Sequence, residues 1–184
     1  EQNPLVQTAQ NVFKTLLIDA KAASKLIESK HIAAVTVTGS TDAGAKIAEQ
    51  AGRSIKKCVL ELGGSDPFIV LGGADVKECA KQAVPARIIN SGQSCIAAKR
   101  FIAHKSIARE FEKEFVEQMK SLSVGDPMDP KTQVGPLAKK EFVDALFGQM
   151  NRSVNLGAKI LCGGKKIAGK GFFFKPTVLG NATE

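Results

Sequence analysis

The sequence predicts an α/β protein in two parts, residues 1–63 and residues 64–184. Two patterns carry that prediction. Short apolar runs rich in β-branched residues alternate with amphipathic helical stretches along the chain. The first third closes a β-α-β-α-β series, which Gly63-Gly64 and Pro67 then interrupt.

Taken in order, residues 12–19 (VFKTLLID) read as a strand, and residues 20–29 as a helix with Ala23, Leu26 and Ile27 on one face. Residues 33–38 (AAVTVT) read as a buried strand. That strand runs into Gly39-Ser40-Thr41-Asp42 and a helix over residues 43–54, and residues 57–62 form the next strand. In the second part, residues 67–71 are a short strand, and Asp75 can cap the helix that follows. Pro85 is expected to disturb that helix, because it lacks an N–H and its ring crowds the preceding turn. Residues 99–104 read as a strand. Residues 106–122 form the clearest helix, with Ile107, Phe111, Phe115 and Met119 at steps of four. A loop over residues 125–136 precedes a helix over residues 137–156. Strands at residues 159–162 and 172–179 then flank a turn rich in glycine and lysine.

Composition narrows the function. The hydrophobic share is 43% and the charged share 24%, values of an ordinary globular protein. No apolar run reaches the roughly 20 residues a membrane-spanning helix needs, and the first residues lack a secretory signal pattern. A soluble, cytoplasmic protein without membrane partners is expected. Four scattered cysteines and only two histidines suggest neither a disulfide framework nor a metal site. The net charge of +8 raises nucleic acid as a partner. The lysines are scattered, however, and no tyrosine or tryptophan is present to stack on bases, so no nucleic-acid partner is expected. Positive charge also suits anionic cofactors and substrates.

Three places could carry chemistry. A strand that ends in Thr38-Gly39-Ser40 and starts a helix offers unpaired backbone N–H groups and the positive end of the helix dipole to a phosphate. An ordinary helix cap explains the same residues. Glu61 ends an apolar strand before two glycines, where burial would raise its pKa and suit it to act as a general base. An exposed position on an edge strand is the other reading. Cys95 lies in the polar, small-residue stretch Asn90-Ser91-Gly92-Gln93-Ser94-Cys95, where a thiol can be exposed and ionised. Cys58, Cys79 and Cys162 sit in strand or helix patterns and read as small hydrophobes.

Together these segments resemble the aldehyde dehydrogenase superfamily in order and spacing. Val37-Thr38-Gly39-Ser40-Thr41 is similar to its Phe-Thr-Gly-Ser nucleotide motif, with valine for the usual phenylalanine. Leu60-Glu61-Leu62-Gly63-Gly64 is similar to its general-base motif. The stretch from Asn90 to Cys95 is similar to its Asn-x-Gly-Gln-x-Cys nucleophile motif, 34 residues beyond the glutamate. Gly125-Asp126-Pro127 and Gly135-Pro136-Leu137 fit later landmarks. The resemblance implies the last β-α-β units of a Rossmann-like dinucleotide-binding domain in residues 1–63. It implies the first part of an α/β catalytic domain in residues 64–184, both domains being incomplete.

The resemblance further implies Cys95 as nucleophile and Glu61 as base. It implies cofactor contacts for NAD or NADP at Gly39, Ser40, Gly44, Leu62 and Gly63, and loop positioning by Asn90, Gly92 and Gln93. Residues 56–71 (KKCVLELGGSDPFIVL) are most similar to bacterial succinate-semialdehyde dehydrogenases, which implies succinate semialdehyde as the substrate. Well-known members carry a carboxylate-binding arginine where this chain has Ile89, and some carry a second cysteine where it has Ala97. No disulfide switch is therefore expected at Cys95. The family's oxyanion asparagine and its ribose-binding residues fall outside the stretch resembled, so this chain alone is expected to show little or no dehydrogenase activity. The full-length protein is expected to be a homo-oligomer. A coenzyme-A-acylating relative is the alternative within the family, although that branch generally lacks the glutamate. A basic, non-catalytic binding module is the alternative outside it.

Overall fold

Three helices begin where a polar side chain can take up an orphan amide at the first turn. Asp19 accepts from the Ala22 N–H at 2.8 Å, Ser40 from Ala43 at 3.2 Å, and Asp75 from Glu78 at 3.0 Å. The computed structural model describes residues 12–182, and the chain divides after Gly63 into two units.

The first unit holds helix α1 (Ala20–Glu28), strand β1 (Ala34–Thr38), helix α2 (Thr41–Arg53) and strand β2 (Lys57–Glu61). The two strands run parallel in register, from Ala34 opposite Lys57 to Thr38 opposite Glu61. Gln50 on α2 ties the helices together, donating to the Glu28 carboxylate at 2.9 Å and to the Ser24 carbonyl at 3.2 Å. Lys56 donates to the Ser29 carbonyl at 2.6 Å, fixing the chain that enters β2.

Two expectations fail in this unit. Residues 12–19 form no strand; Phe13 is 84% and Leu17 99% exposed. An extended segment becomes a strand only against a ladder partner, and among the described residues β1 pairs only with β2. Strand β1 is also not buried: Val35 and Val37 are half-buried, while Ala34, Thr36 and Thr38 on the opposite face are exposed. A two-stranded sheet with one face covered leaves alternate residues in water.

The second unit starts with strand β3 (Pro67–Val70), helix α3 (Val76–Ile88), a 3-10 turn (Ile89–Gly92) and strand β4 (Arg100–Ala103). Strands β3 and β4 are parallel, with Phe68 opposite Phe101, so β3-α3-β4 is a crossover unit. Its second connection, between α3 and β4, carries Cys95. Helix α4 (Ala108–Lys120) buries Phe111, Phe115, Val116 and Met119 against Val76, Ala80, Ala83 and Val84 of α3. The Phe115 ring centroid lies 4.5 Å from that of Phe101 and 5.7 Å from that of Phe111. Helix α5 (Lys140–Asn155) follows the long loop, and strands β5 (Lys159–Cys162), β6 (Lys166–Ile167), β7 (Phe173–Phe174) and β8 (Val178–Gly180) complete the unit.

Helix α3 runs through Pro85 without a break, contrary to expectation. Proline frees the carbonyl of residue 81, but Lys81 and Pro85 are both exposed, so water can take that bond, while Ala83 and Val84 stay buried beside it. The single strand expected over residues 172–179 is instead two. Strand β7 pairs with β6, and β8 pairs with β5. Pro176, lacking a ladder N–H, separates them. No helix among the described residues is long and apolar enough to cross a membrane.

Candidate active site

In the first unit the cofactor candidates gather where β1 and β2 end. The Gly39 N–H donates to the Glu61 carbonyl at 3.0 Å, joining the two strand ends. Ser40 is a true cap: its hydroxyl takes the Ala43 amide, and its carbonyl the Gly44 amide at 2.9 Å. The first amides of α2 remain without intrahelical partners, and residues 39–42 are all exposed. A side chain at Gly39 would meet only the Ala43 methyl, at 3.9 Å, so that space is left open by the protein. Asp42, in the same first turn, puts a carboxylate nearby. Backbone donors, rather than side-chain charge, would therefore hold a phosphate here.

Gly44 is buried for a different reason. A Cβ there would come within 2.5 Å of the Leu62 Cδ2, so glycine lets α2 pack directly on Leu62. Around Gly63 nothing lies within 4 Å of a Cβ. Glu61 closes β2 and is exposed. The burial expected for it is not supplied, because one strand and one helix do not enclose the end of a two-stranded sheet.

In the second unit Asn90, Gly92, Gln93 and Cys95 come together in one loop with unusual backbone geometry. Asn90 (φ 50°, ψ 43°), Ser91 (φ 54°, ψ 31°) and Gly92 (φ 77°) are successive left-handed residues. Left-handed backbone costs about 1–2 kcal/mol for a residue with a side chain, least for Asn. Hydrogen bonds offset that cost. The Ser91 hydroxyl accepts from the Gly135 N–H at 3.1 Å and donates to the Gly135 carbonyl at 3.3 Å. Gln93 accepts from the Ala138 N–H at 2.9 Å, and its side-chain amide donates to the Asn90 carbonyl at 3.2 Å. Strained backbone of this kind clusters at functional sites.

Cys95 stands exposed at the tip of a turn closed by the Ala97 N–H on the Ser94 carbonyl at 3.2 Å. Ala97 and Ala98 behind it are buried. A Cβ on Gly64 would lie 2.7 Å from the Cys95 carbonyl oxygen, so the glycine allows that close approach. Lys99 donates to the Ala97 carbonyl at 3.1 Å. Burial and the Arg87 charge pull its ammonium below the usual range, while Asp66 and Cys95 act in the other direction. The other cysteines are screened: Cys58 and Cys79 are half-buried, and Cys162 is buried, with burial raising its thiol pKa.

Arg87 and Lys99 escaped the sequence reading, and Gly64 and Ser91 entered it only as members of motifs, with no role of their own. Arg87 donates to the Gly92 carbonyl at 3.1 Å and to the Ala98 carbonyl at 2.9 Å. A basic residue in the last helical turn ordinarily reads as a partner of the helix dipole, which hid its reach into the loop. Ser91 gave no signal beyond being small and polar.

Residues 6–184 match the aldehyde dehydrogenase family. The chain is 50% identical over 175 residues to the NADP-dependent succinate-semialdehyde dehydrogenase of Mycobacterium avium, covering 95% of this chain and 37% of that protein. It is 49% identical over 174 residues to the NAD(P)-dependent succinate semialdehyde dehydrogenase of Escherichia coli, at 95% and 38% coverage. Among solved structures, the succinic semialdehyde dehydrogenase of Streptococcus pyogenes, in complex with NADP, superposes with a TM-score of 0.87 at 36% identity, covering 92% of this chain and 37% of that one. Lactaldehyde dehydrogenase of Escherichia coli gives a TM-score of 0.84 at 35% identity, covering 88% of this chain and 34% of that one. The chain thus spans a little over a third of the length of the curated relatives it matches. The α/β architecture expected from the sequence is that of these Rossmann-like and catalytic folds. Both the match along the chain and the shared fold lead to one conclusion: this chain belongs to the aldehyde dehydrogenase family.

Proposed function

We propose that this chain supplies the nucleophile and the base of an NAD- or NADP-dependent aldehyde dehydrogenase that oxidises succinate semialdehyde to its carboxylic acid. The observation that carries the reading is that Cys95, alone among the four cysteines, is exposed, and stands on a braced, left-handed loop. The substrate rests on the names of the relatives. Ile89 is 43% exposed beside the loop and cannot pair with a carboxylate, so the substrate's distal charge must be held elsewhere. Residues 1–63 serve as the last part of the dinucleotide-binding domain and residues 64–184 as the first part of the catalytic domain. With just over a third of the relatives' length, the chain by itself has little or no dehydrogenase activity. The full-length protein acts as a cytoplasmic homo-oligomer, a part of the reading that rests on family resemblance.

The Cys95 thiolate attacks the aldehyde carbon, forming a C–S bond and sending the carbonyl π pair onto oxygen. The Cys95 backbone N–H donates to that oxyanion. Bound NAD or NADP supplies the hydride acceptor. As hydride leaves the carbon, the oxyanion re-forms the carbonyl, and the acyl group remains on Cys95 as a thioester. Glu61 takes a proton from water, whose oxygen attacks the thioester; the C–S bond breaks and the thiolate returns. Gly39, Ser40 and the exposed first amides of α2 fit a pyrophosphate. Gly44 and Leu62 fix that helix on β2, and the open space at Gly63 admits the cofactor's approach. Asn90, Gly92 and Gln93 hold the nucleophile loop.

The test is alkylation by iodoacetamide across pH 5–10, read cysteine by cysteine, on the wild-type chain and on Cys95→Ala. Cys95 is expected to react at least roughly ten-fold faster than Cys58, Cys79 and Cys162. Equal rates for Cys95 and the half-buried thiols would remove it as the nucleophile.

A further inference from the structure

We propose that Arg87 is a positioning residue for Cys95, its guanidinium clamping the two ends of the nucleophile loop by donating to the Gly92 and Ala98 carbonyls. This rests on the reading of Cys95 as nucleophile. The two carbonyls bracket Cys95 in sequence, and one planar group reaches both, through Nη2 at 3.1 Å and Nη1 at 2.9 Å. A guanidinium presents several donors in a fixed plane, which an ammonium does not. The loop is shaped to admit it: a Cβ on Gly92 would lie 2.2 Å from the Arg87 Nη2. Glycine at this position therefore serves both the positive φ of 77° and the approach of the arginine.

Arg87 has no role as an ion pair to explain its place. Among the described residues no carboxylate lies within salt-bridge distance of it, and burial lowers its pKa from the ordinary value. A half-buried cation satisfied by backbone carbonyls is placed for those carbonyls. The remaining ties have a different reach. Ser91 and Gln93 pin the left-handed turn to residues 135–138 and make no bond to the residues that follow Cys95. The Ala98 N–H on the Ala86 carbonyl, at 2.9 Å, anchors only the far end. The Lys99 ammonium, on the Ser94 and Ala97 carbonyls at 3.5 and 3.1 Å, spans only the residues next to Cys95. Among the described residues, Arg87 is the side chain that joins Gly92 to Ala98.

The experiment uses the 184-residue chain with Arg87→Met, which keeps the aliphatic stem, and Arg87→Lys, which keeps the charge. Hydrogen–deuterium exchange is followed in peptides covering residues 89–98 and residues 108–120, together with the ratio of Cys95 to Cys58 alkylation. In Arg87→Met, residues 89–98 are expected to exchange roughly ten-fold faster while residues 108–120 hold their rate. The alkylation ratio is expected to fall by roughly three-fold as the thiol loses its fixed setting. Arg87→Lys is expected to restore both in part, since an ammonium serves one carbonyl at a time. Unchanged exchange in residues 89–98, an equal rise in residues 108–120, or a lysine variant identical to wild type would overturn the clamp. If Arg87→Met does not fold, the lysine variant alone decides by the same criteria. Wild-type alkylation separates the two readings. Slow Cys95 with a loosened loop in the variant sinks the nucleophile, whereas fast Cys95 with an unaltered loop sinks the clamp.

Discussion

Cys95 and Glu61 reached the same standing in the sequence by similar reasoning, yet the structure treats them differently. The polar, small residues around Cys95 predicted an exposed thiol, and it is exposed. Local composition bears on exposure there, because residues 90–94 carry no apolar side chain to draw that side of the loop inward. The apolar run around Glu61 predicted burial, and Glu61 is exposed. Burial at a strand end depends on what covers it, which residues far away in sequence must supply. Its role as base is tested by function rather than by burial. In the full-length protein, Glu61→Gln is expected to slow thioester hydrolysis by roughly 100-fold, the usual span of a lost general base, while the hydride-transfer burst changes little. Rapid-quench measurements on both steps would check it, and equal slowing of the two would point to a structural role.

At the scale of elements, the capped helices and the Phe111–Phe115–Met119 face of α4 were legible because their causes are local: a cap three residues from its amide, apolar residues at helical spacing. Pairing was not. Strands β7 and β8 were read as one although Pro176, which separates them, stands in residues 172–179; which partner each half finds is not written there. A further link became visible only in the fold. Asp144 on α5 bonds Lys140 at 2.8 Å on its own helix and also Lys166 on β6. Hydrogen bonds from Lys140 and then Lys166 pull its carboxyl down to about 2. A carboxyl depressed in the folded state stabilises it above the ordinary carboxylate pKa and loses that contribution as pH falls through its folded value. The window is therefore about pH 4 down to pH 2, with the contribution complete at neutral pH. The group is exposed, so the effect is modest. Urea midpoints at pH 6 and pH 2.5 are expected to converge between wild type and Asp144→Asn at the lower pH and to separate at the higher. A constant gap would show that Asp144 acts through packing alone.

Across the whole molecule, the two units differ in how much apolar surface they enclose. The second buries Val70, Val76, Val84, Phe111, Phe115, Val116 and Met119 in one cluster. In the described part of the first unit the buried residues are Ile27, Gly44 and Ala51. Local opening costs least where few apolar contacts must be broken. Amides of β1 and β2 are therefore expected to exchange at least roughly ten-fold faster than those of α4. Exchange mass spectrometry on the intact chain measures this directly, and equal protection in the two places would refute it.

The sequence by itself determined the α/β class, the helix caps at Ser40 and Asp75, and the set of residues that mark the aldehyde dehydrogenase family. Each is written in short-range spacing or in residue chemistry at one position. Only the tertiary structure decided the rest: the exposed face of β1, the separate partners of β7 and β8, the exposure of Glu61, and the brace on the Cys95 loop. The physical reason is common to all of these. Burial, strand pairing and a guanidinium spanning residues 92–98 are relations between segments, and energies of contact between segments leave no periodic trace in either one. For Cys95, composition foretold an exposed thiol, and the fold added the left-handed loop and the arginine that hold it in place.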